Sequence, residues 1–392
     1  MDAKKSEINV LHLSTHNEEC GIGKYQENYL KYMQNIEGVN NKFYKSSLNH
    51  IKKLTGEALG EELSHFDAEL NKYDILHIQH EFGLFSNNGE GLSEFIQIAK
   101  KYPIKIIITI HTAPGLLYKS KQLYGYSPKH VASYIKRKIN NRDLLQKKLL
   151  PLAGADLIIT LNPFTKQQVI DIVGVPENKI IQTMIPVERV SSSTKDLFIQ
   201  KKLNAKPNDI ILSTIGFITE HKGVDQAIKA LAFLPEKYKL AILGGINPDS
   251  GSPAIYNHIC DLILQYNLQN RVYITGFIKD DQELYGLIRA TDIALYPYDP
   301  AYYKLASSDA INKAIMNSVP VIAYPAESFK EINKKSKDAI ILTTSANYYE
   351  LAREVESIDL AKQKKNADAY IDKNNFNEAA VELVNIYRSI IS

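Results

Sequence analysis

The stretch DIILSTIGFITEHKGVDQAIKALAF, residues 209–233, decides the fold. It opens with an apolar, β-branched run that stops at Gly216, passes through a polar turn carrying Lys222 and Gly223, and continues as a helix over 224–233. Strand, glycine turn, helix is the first half of a βα unit, whose next strand lies parallel to the first. The same grammar continues downstream through YKLAILGG (238–245), RVYITGF (271–277), a helix from Gln282, DIALYPY (292–298), a helix near 309–317 and VPVIAYP (319–325). Upstream it occurs independently, in INVLHLS (8–14), a helix from about residue 24 to 33, DILHIQH (74–80), a helix near 91–101, IKIIITIHT (104–112) and ADLIITLN (155–162). The expected class is α/β, with two doubly wound, Rossmann-like parallel sheets.

A chain of 392 residues exceeds one ordinary core, since domains run to roughly 100–200 residues. Residues 186–209, polar and Ser/Lys-rich, have the composition of a connection. The expected division is an N-terminal domain over 1–190, a linker over 191–207 and a C-terminal domain over 208–374. The final stretch, 375–392, has apolar residues at helical spacing and reads as an amphipathic helix.

With 44% hydrophobic and 23% charged residues the chain is that of an ordinary globular protein, not a disordered or fibrous one. No apolar run reaches the ~18 residues of a membrane span, so a cytoplasmic location is expected. Cys20 and Cys260 stand far apart without metal-ligand spacing, which argues against a disulfide framework and a zinc site. The net charge of +3 is unevenly spread. Lys119, Lys121, Lys129, Lys136, Arg137, Lys138, Arg142, Lys147 and Lys148 are opposed only by Asp143 and interleave with Tyr118, Tyr124, Tyr126 and Tyr134. The segment 119–148 is either a solvated face or a contact for a polyanionic acceptor or an anionic membrane surface, the last of which would place the protein peripherally at an inner membrane face. Nothing in the chain points to nucleic acid.

In open parallel sheets, ligands bind beyond the carboxyl ends of strands, where helix N-termini point at them. That rule selects four loops. THNEECGIGKY (15–25) carries Gly21 and Gly23, either for close approach of a substrate or for a plain tight turn. IQHEFGLF (78–85) places Gln79, His80 and Glu81 at a strand end, as a cleft for an acceptor or as a structural polar cluster. TIHTAP (109–114) ends the strongest apolar run on His111, a catalytic candidate or a satisfied structural histidine. Gly216, with Lys222 beside a helix N-terminus, is a mount for phosphate unless the lysine simply faces solvent. A further helix start, LASSDAIN (305–312), offers Ser307, Ser308, Asp309 and Asn312 for an anion.

Read in order, CGIGKY, IQHEFGLF, TIHTAP, GFITEHKGVDQAIKAL, VYITGF, ATDIALYPY and NSVPVIAYP resemble the retaining glycosyltransferases of family 4, the "glycosyl transferases group 1" with the two-Rossmann GT-B fold. The resemblance covers nearly the whole chain. It implies transfer of a hexose from a nucleotide-diphosphate donor such as a UDP- or GDP-sugar, with retention, across a cleft between the domains. No metal or organic cofactor is implied, and the acceptor would be a glycan, a lipid-linked sugar or a protein of a bacterial surface pathway. It also implies that the C-terminal helix returns to the N-terminal domain. By residue-wise analogy Gly21 and Gly23 would lie near donor phosphates or acceptor, His111 near the transferring sugar, and Lys222 on the diphosphate.

The chain departs from this family at one place above all. The positions that usually hold two glutamates are Leu305 and Lys313, and the loop with Lys222 lacks the usual accompanying arginine. Two readings follow. Either Ser307, Ser308, Asp309 and Asn312 form a variant donor site, or the fold persists in a catalytically weakened partner subunit. A GT-B sugar-nucleotide epimerase is a third possibility.

Overall fold

The computed structural model describes residues 7–17, 20–85, 91–111, 150–190, 194–246, 253–303 and 309–392. The chain divides into two compact units, Met1–Pro186 with Phe376–Ser392, and Val187–Asn375.

The first unit is built on six parallel strands: β1 (Ile8–Leu13), β2 (Val39–Phe43), β3 (Ile75–His80), β4 (Lys105–Ile110), β5 (Leu157–Thr160) and β6 (Ile180–Gln182), in the order β2-β1-β3-β4-β5-β6. β3 is buried at every position and β4 at all but its first, as expected for a parallel sheet covered on both faces. One face packs on the helices Gly56–Leu70 and Leu92–Ala99 through Phe66, Leu70 and Phe95. The other is covered by the helices Gly21–Met33 and Phe376–Ile391. The latter buries Phe376, Ala380, Leu383, Val384 and Tyr387, and each large apolar side chain removed from water contributes about 1.5–3 kcal/mol. The order reverses between β1 and β3, so the loops after these strands flank a topological switch point.

The second unit has strands β7 (Ile210–Ile215), β8 (Tyr238–Leu243), β9 (Val272–Ile274), β10 (Ile293–Tyr296), β11 (Val321–Ala323) and β12 (Ile341–Leu342), all parallel, in the order β12-β11-β10-β7-β8-β9. Its switch point lies between β7 and β10. Arg271, buried just before β9, donates to the carbonyls of Leu231, Leu234, Pro235 and Tyr238, tying the end of the helix Val224–Phe233 to the start of β8.

Two local differences from the sequence reading matter. The helix expected from about residue 24 starts at Gly21, so both glycines lie in its first turn. The Ser/Lys-rich connection is docked rather than free from residue 194 onward. It contains a helix, Phe198–Lys202, with Ile199 and Leu203 buried, and the Asp196 amide donates to the Gly286 carbonyl.

Candidate active site

In the second unit the strand ends at the switch point meet backbone to backbone. Gly216 follows β7 with φ +102°, and the Lys222 ammonium lies across its bare Cα, 2.6 Å from where a β-carbon would stand. Gly223, φ +62°, sits so close to β10 that a β-carbon would come within 2.0 Å of the Pro297 carbonyl oxygen. Glycine is therefore required there on both conformational and steric grounds. Gly223 is also the N-cap of the helix Val224–Phe233 and brings no side chain to its N-terminus, leaving amide donors for a ligand.

The electrostatics of this corner are unusual. Burial, first, and the charge of Lys313, second, lower the Lys222 pKa to about 8. Among the described residues no carboxylate pairs with Lys222; its ammonium faces the Tyr298 ring at 6.0 Å. Lys313, from the helix Asp309–Met316, pairs with Asp281 at 3.1 Å. The loop that lacks an arginine thus has a second cation supplied from another helix. A largely buried cation without a counter-ion is costly, and an anion bound here would remove the cost. His221, stacked on Tyr302 at 4.0 Å, is held below its usual pKa by burial and by the Lys222 charge. Phe277, over half exposed, stacks at 5.4 Å on Phe217, the residue after Gly216, leaving a flat aromatic surface.

Asp309 starts its helix and Asn312 is buried in it. Leu305, Ser307 and Ser308 lie outside the described residues, as does the basic segment 119–148.

In the first unit, His111 follows β4, and its Nε2 lies 2.7 Å from Gln79 Oε1. The edge of its ring meets Tyr25 at 5.0 Å and 89°. Burial lowers the His111 pKa to about 4, so the imidazole is neutral at pH 7. Gln79 and His80 are fully buried, which corrects their expected place as surfaces for an acceptor: they support the loops from beneath. His80 stacks on Phe85, and burial, first, and the charge of His111, second, lower its pKa to about 3. Glu81 is half-buried and accepts from the Gly83 amide, capping a short turn. Gly23 packs against Thr15, whose carbonyl and hydroxyl oxygens would be 3.3 Å from a β-carbon, so its closeness serves the loop's own fold, whereas Gly21 faces open space. Beneath His111 runs a polar chain through Gln79, Gln26 and His12. The sequence reading missed Gln26 and His12, although a histidine inside the apolar run INVLHL was the available signal.

Residues 196–376 match the family described as glycosyl transferases group 1. That match covers nearly all of the second unit, Val187–Asn375. The uncharacterized glycosyltransferase MJ1069 of Methanocaldococcus jannaschii is 24% identical over 248 residues, 61% of this chain and 59% of that relative's length. Among solved structures, Anabaena HepE in complex with UDP has a TM-score of 0.67 at 15% identity, covering 97% of this chain and all of the other. Sucrose-phosphate synthase from Thermosynechococcus elongatus has the same TM-score at 16% identity, covering 98% and 99%. The two six-stranded parallel sheets are the GT-B architecture.

Proposed function

We propose that this chain is a retaining glycosyltransferase that moves a hexose from a nucleotide-diphosphate donor to a glycan, lipid-linked or protein acceptor. One observation carries the reading. At the switch point of the second unit, a largely buried lysine that pairs with no carboxylate among the described residues lies over a bare glycine backbone and beside a helix N-terminus that no side chain caps. This arrangement suits a diphosphate. Lys222 and the helix amides would stabilise the charge that develops on the departing nucleoside diphosphate, with Lys313 adding to the field. The flat surface of Phe277 on Phe217 suits a nucleobase. His111 would meet the transferring sugar. The negative charge of the donor is matched by lysines and backbone dipoles, so the reaction is proposed to need no metal. UDP is the first nucleotide to test, because the structural neighbour HepE was solved with UDP and with UDP-glucose.

The reading is tested without knowing the acceptor by following slow hydrolysis of UDP-glucose by proton NMR. The sugar first released should be the α-anomer, and Lys222→Ala should slow release by roughly 10²-fold or more, as for loss of a preorganised charge. Release of the β-anomer would overturn retention. Complete inactivity towards a panel of nucleotide sugars would favour the partner-subunit reading, to which Lys313 in place of a glutamate also points.

A further inference from the structure

The helix Val224–Phe233 ends on a phenylalanine, and the helix Tyr348–Ser357, which packs beside it, begins on two tyrosines. The three rings gather on the surface of the second unit. Phe233 stacks on Tyr348 at 5.6 Å and 27° and meets Tyr349 at 4.7 Å and 59°, and the two tyrosine rings lie 4.4 Å apart at 34°. Tyr348 is half-buried and packs against the core, whereas Phe233 is 52% exposed and Tyr349 56%. Contact among the rings holds them in place and leaves two of them open to water, where large aromatic groups gain nothing from burial. The patch stands apart from the Lys222 corner. Phe233 lies about 14 Å along its helix from the amides at the start.

We propose that Phe233, Tyr348 and Tyr349 form a platform on which the pyranose rings of a neutral glycan stack. A pyranose presents a face of C–H groups and a rim of hydroxyls. Open aromatic faces suit the first, and the phenol hydroxyls of the tyrosines, each able to donate and to accept, suit the second. Charge points the same way. Lys229, one turn before Phe233, pairs with Asp225 at 2.9 Å, and Arg353, one turn after Tyr349, pairs with Glu350 at 2.6 Å and Glu354 at 3.0 Å. Glu236 pairs with Arg271 at 3.7 Å, and the Lys237 ammonium lies over the Tyr238 ring. With neighbouring charges of both signs matched, the patch offers little attraction to an anionic lipid surface or a polyanion. Area argues against a second copy of the chain. Two rings about half open present roughly 200 Å², against the ~800 Å² per partner of a stable interface. The platform goes beyond the donor reading and does not depend on it, since it holds a glycan chain and takes no part in the reaction.

Affinity electrophoresis tests it, in native gels containing soluble starch, hydroxyethylcellulose, galactomannan or xylan. At least one of these neutral polymers should retard the unaltered protein. The double variant Phe233→Ala/Tyr349→Ala should lose at least about tenfold of that affinity, with its melting temperature within about 2 °C because both side chains are exposed. Equal retardation of the two proteins would place the glycan elsewhere and overturn the proposal, as would retardation of neither by any of the polymers. A dimer of the unaltered protein, seen by light scattering and lost in the double variant, would overturn it in favour of contact between copies. Binding to vesicles of anionic phospholipid that the variant loses would overturn it in favour of a membrane surface. UDP-glucose should bind both proteins alike by calorimetry; if it binds neither, the donor reading fails, and the gels still decide the platform.

Discussion

Raising the pH from 7 to 9 should weaken binding of UDP-glucose about tenfold, through Lys222 alone. The lysine titrates at about 8 in the free protein because burial disfavours its charged form. At pH 7 about nine-tenths of the molecules carry the ammonium, and at pH 9 about one-tenth. The diphosphate of a nucleotide sugar stays fully ionised over this range, so the ligand adds no proton of its own. Once bound, the dianion favours the charged lysine and lifts its pKa back towards the ordinary range. The sign follows: affinity is full below pH 8 and is lost as the pH rises through that value. Near pH 8 each binding event should take up about half a proton. Calorimetry in two buffers of different ionisation heat measures this uptake directly. Lys222→Met should bind more weakly and with no pH dependence between 7 and 9. A flat profile for the unaltered protein, or a profile that survives in Lys222→Met, would refute the assignment of the diphosphate to this lysine.

Other outcomes follow from the same structure. Without ligand, Lys222→Met should raise the melting temperature of the second unit by about 2–4 °C, because a largely buried cation with no carboxylate partner among the described residues is replaced by an apolar chain of similar length; UDP should no longer raise it further, as read by scanning calorimetry. Gly223→Ala should destabilise the second unit by more than ~2 kcal/mol, since a positive φ adds to a backbone clash with Pro297, and urea unfolding measures the loss. Arg271→Ala should cost about 3–5 kcal/mol by leaving four carbonyls without their donor, and Arg271→Lys should recover little of it. The first unit should be acid-labile. His12 and His111, lowered to about 4, and His80, lowered to about 3, fold as neutral rings. The unfolded chain therefore binds more protons as the pH falls below about 6.5, and stability drops by up to ~1.4 kcal/mol per histidine for each pH unit down towards 4. Urea denaturation between pH 7 and 5 should show the first unit weakening more steeply than the second.

Much of this molecule was legible because parallel strands buried on both faces write themselves as apolar runs. β3, β4, β7 and β8 are such runs, and each was bounded to within a residue or two. β2, with the sequence VNNKF, was not visible, because as an edge strand it is buried only at Val39 and reads as polar. The helices Pro253–Gln265, Glu327–Lys335, Tyr348–Ser357 and Leu360–Lys373 were not among the expected elements, although their apolar spacing is present in the sequence. At the site, Lys222 and its glycines stood out as strand, turn and helix. What sequence order could not convey was that Lys313, some ninety positions later, shares the field of Lys222, or that Phe217 and Phe277 stack after separate strands. Gln79 and His80 were noticed as polar residues at a strand end, but burial, which no single sequence states, turns them from contacts into supports.

The most direct test of the central claim is calorimetric titration of UDP-glucose into the unaltered protein and into Lys222→Ala at pH 7, with circular dichroism confirming that both are folded. The account predicts micromolar binding to the first and a loss of at least about tenfold in the second, the size expected when a charge-assisted hydrogen bond to phosphate is removed. Equal affinity in the two proteins would contradict it, because the buried cation over Gly216 would then have no part in holding the donor.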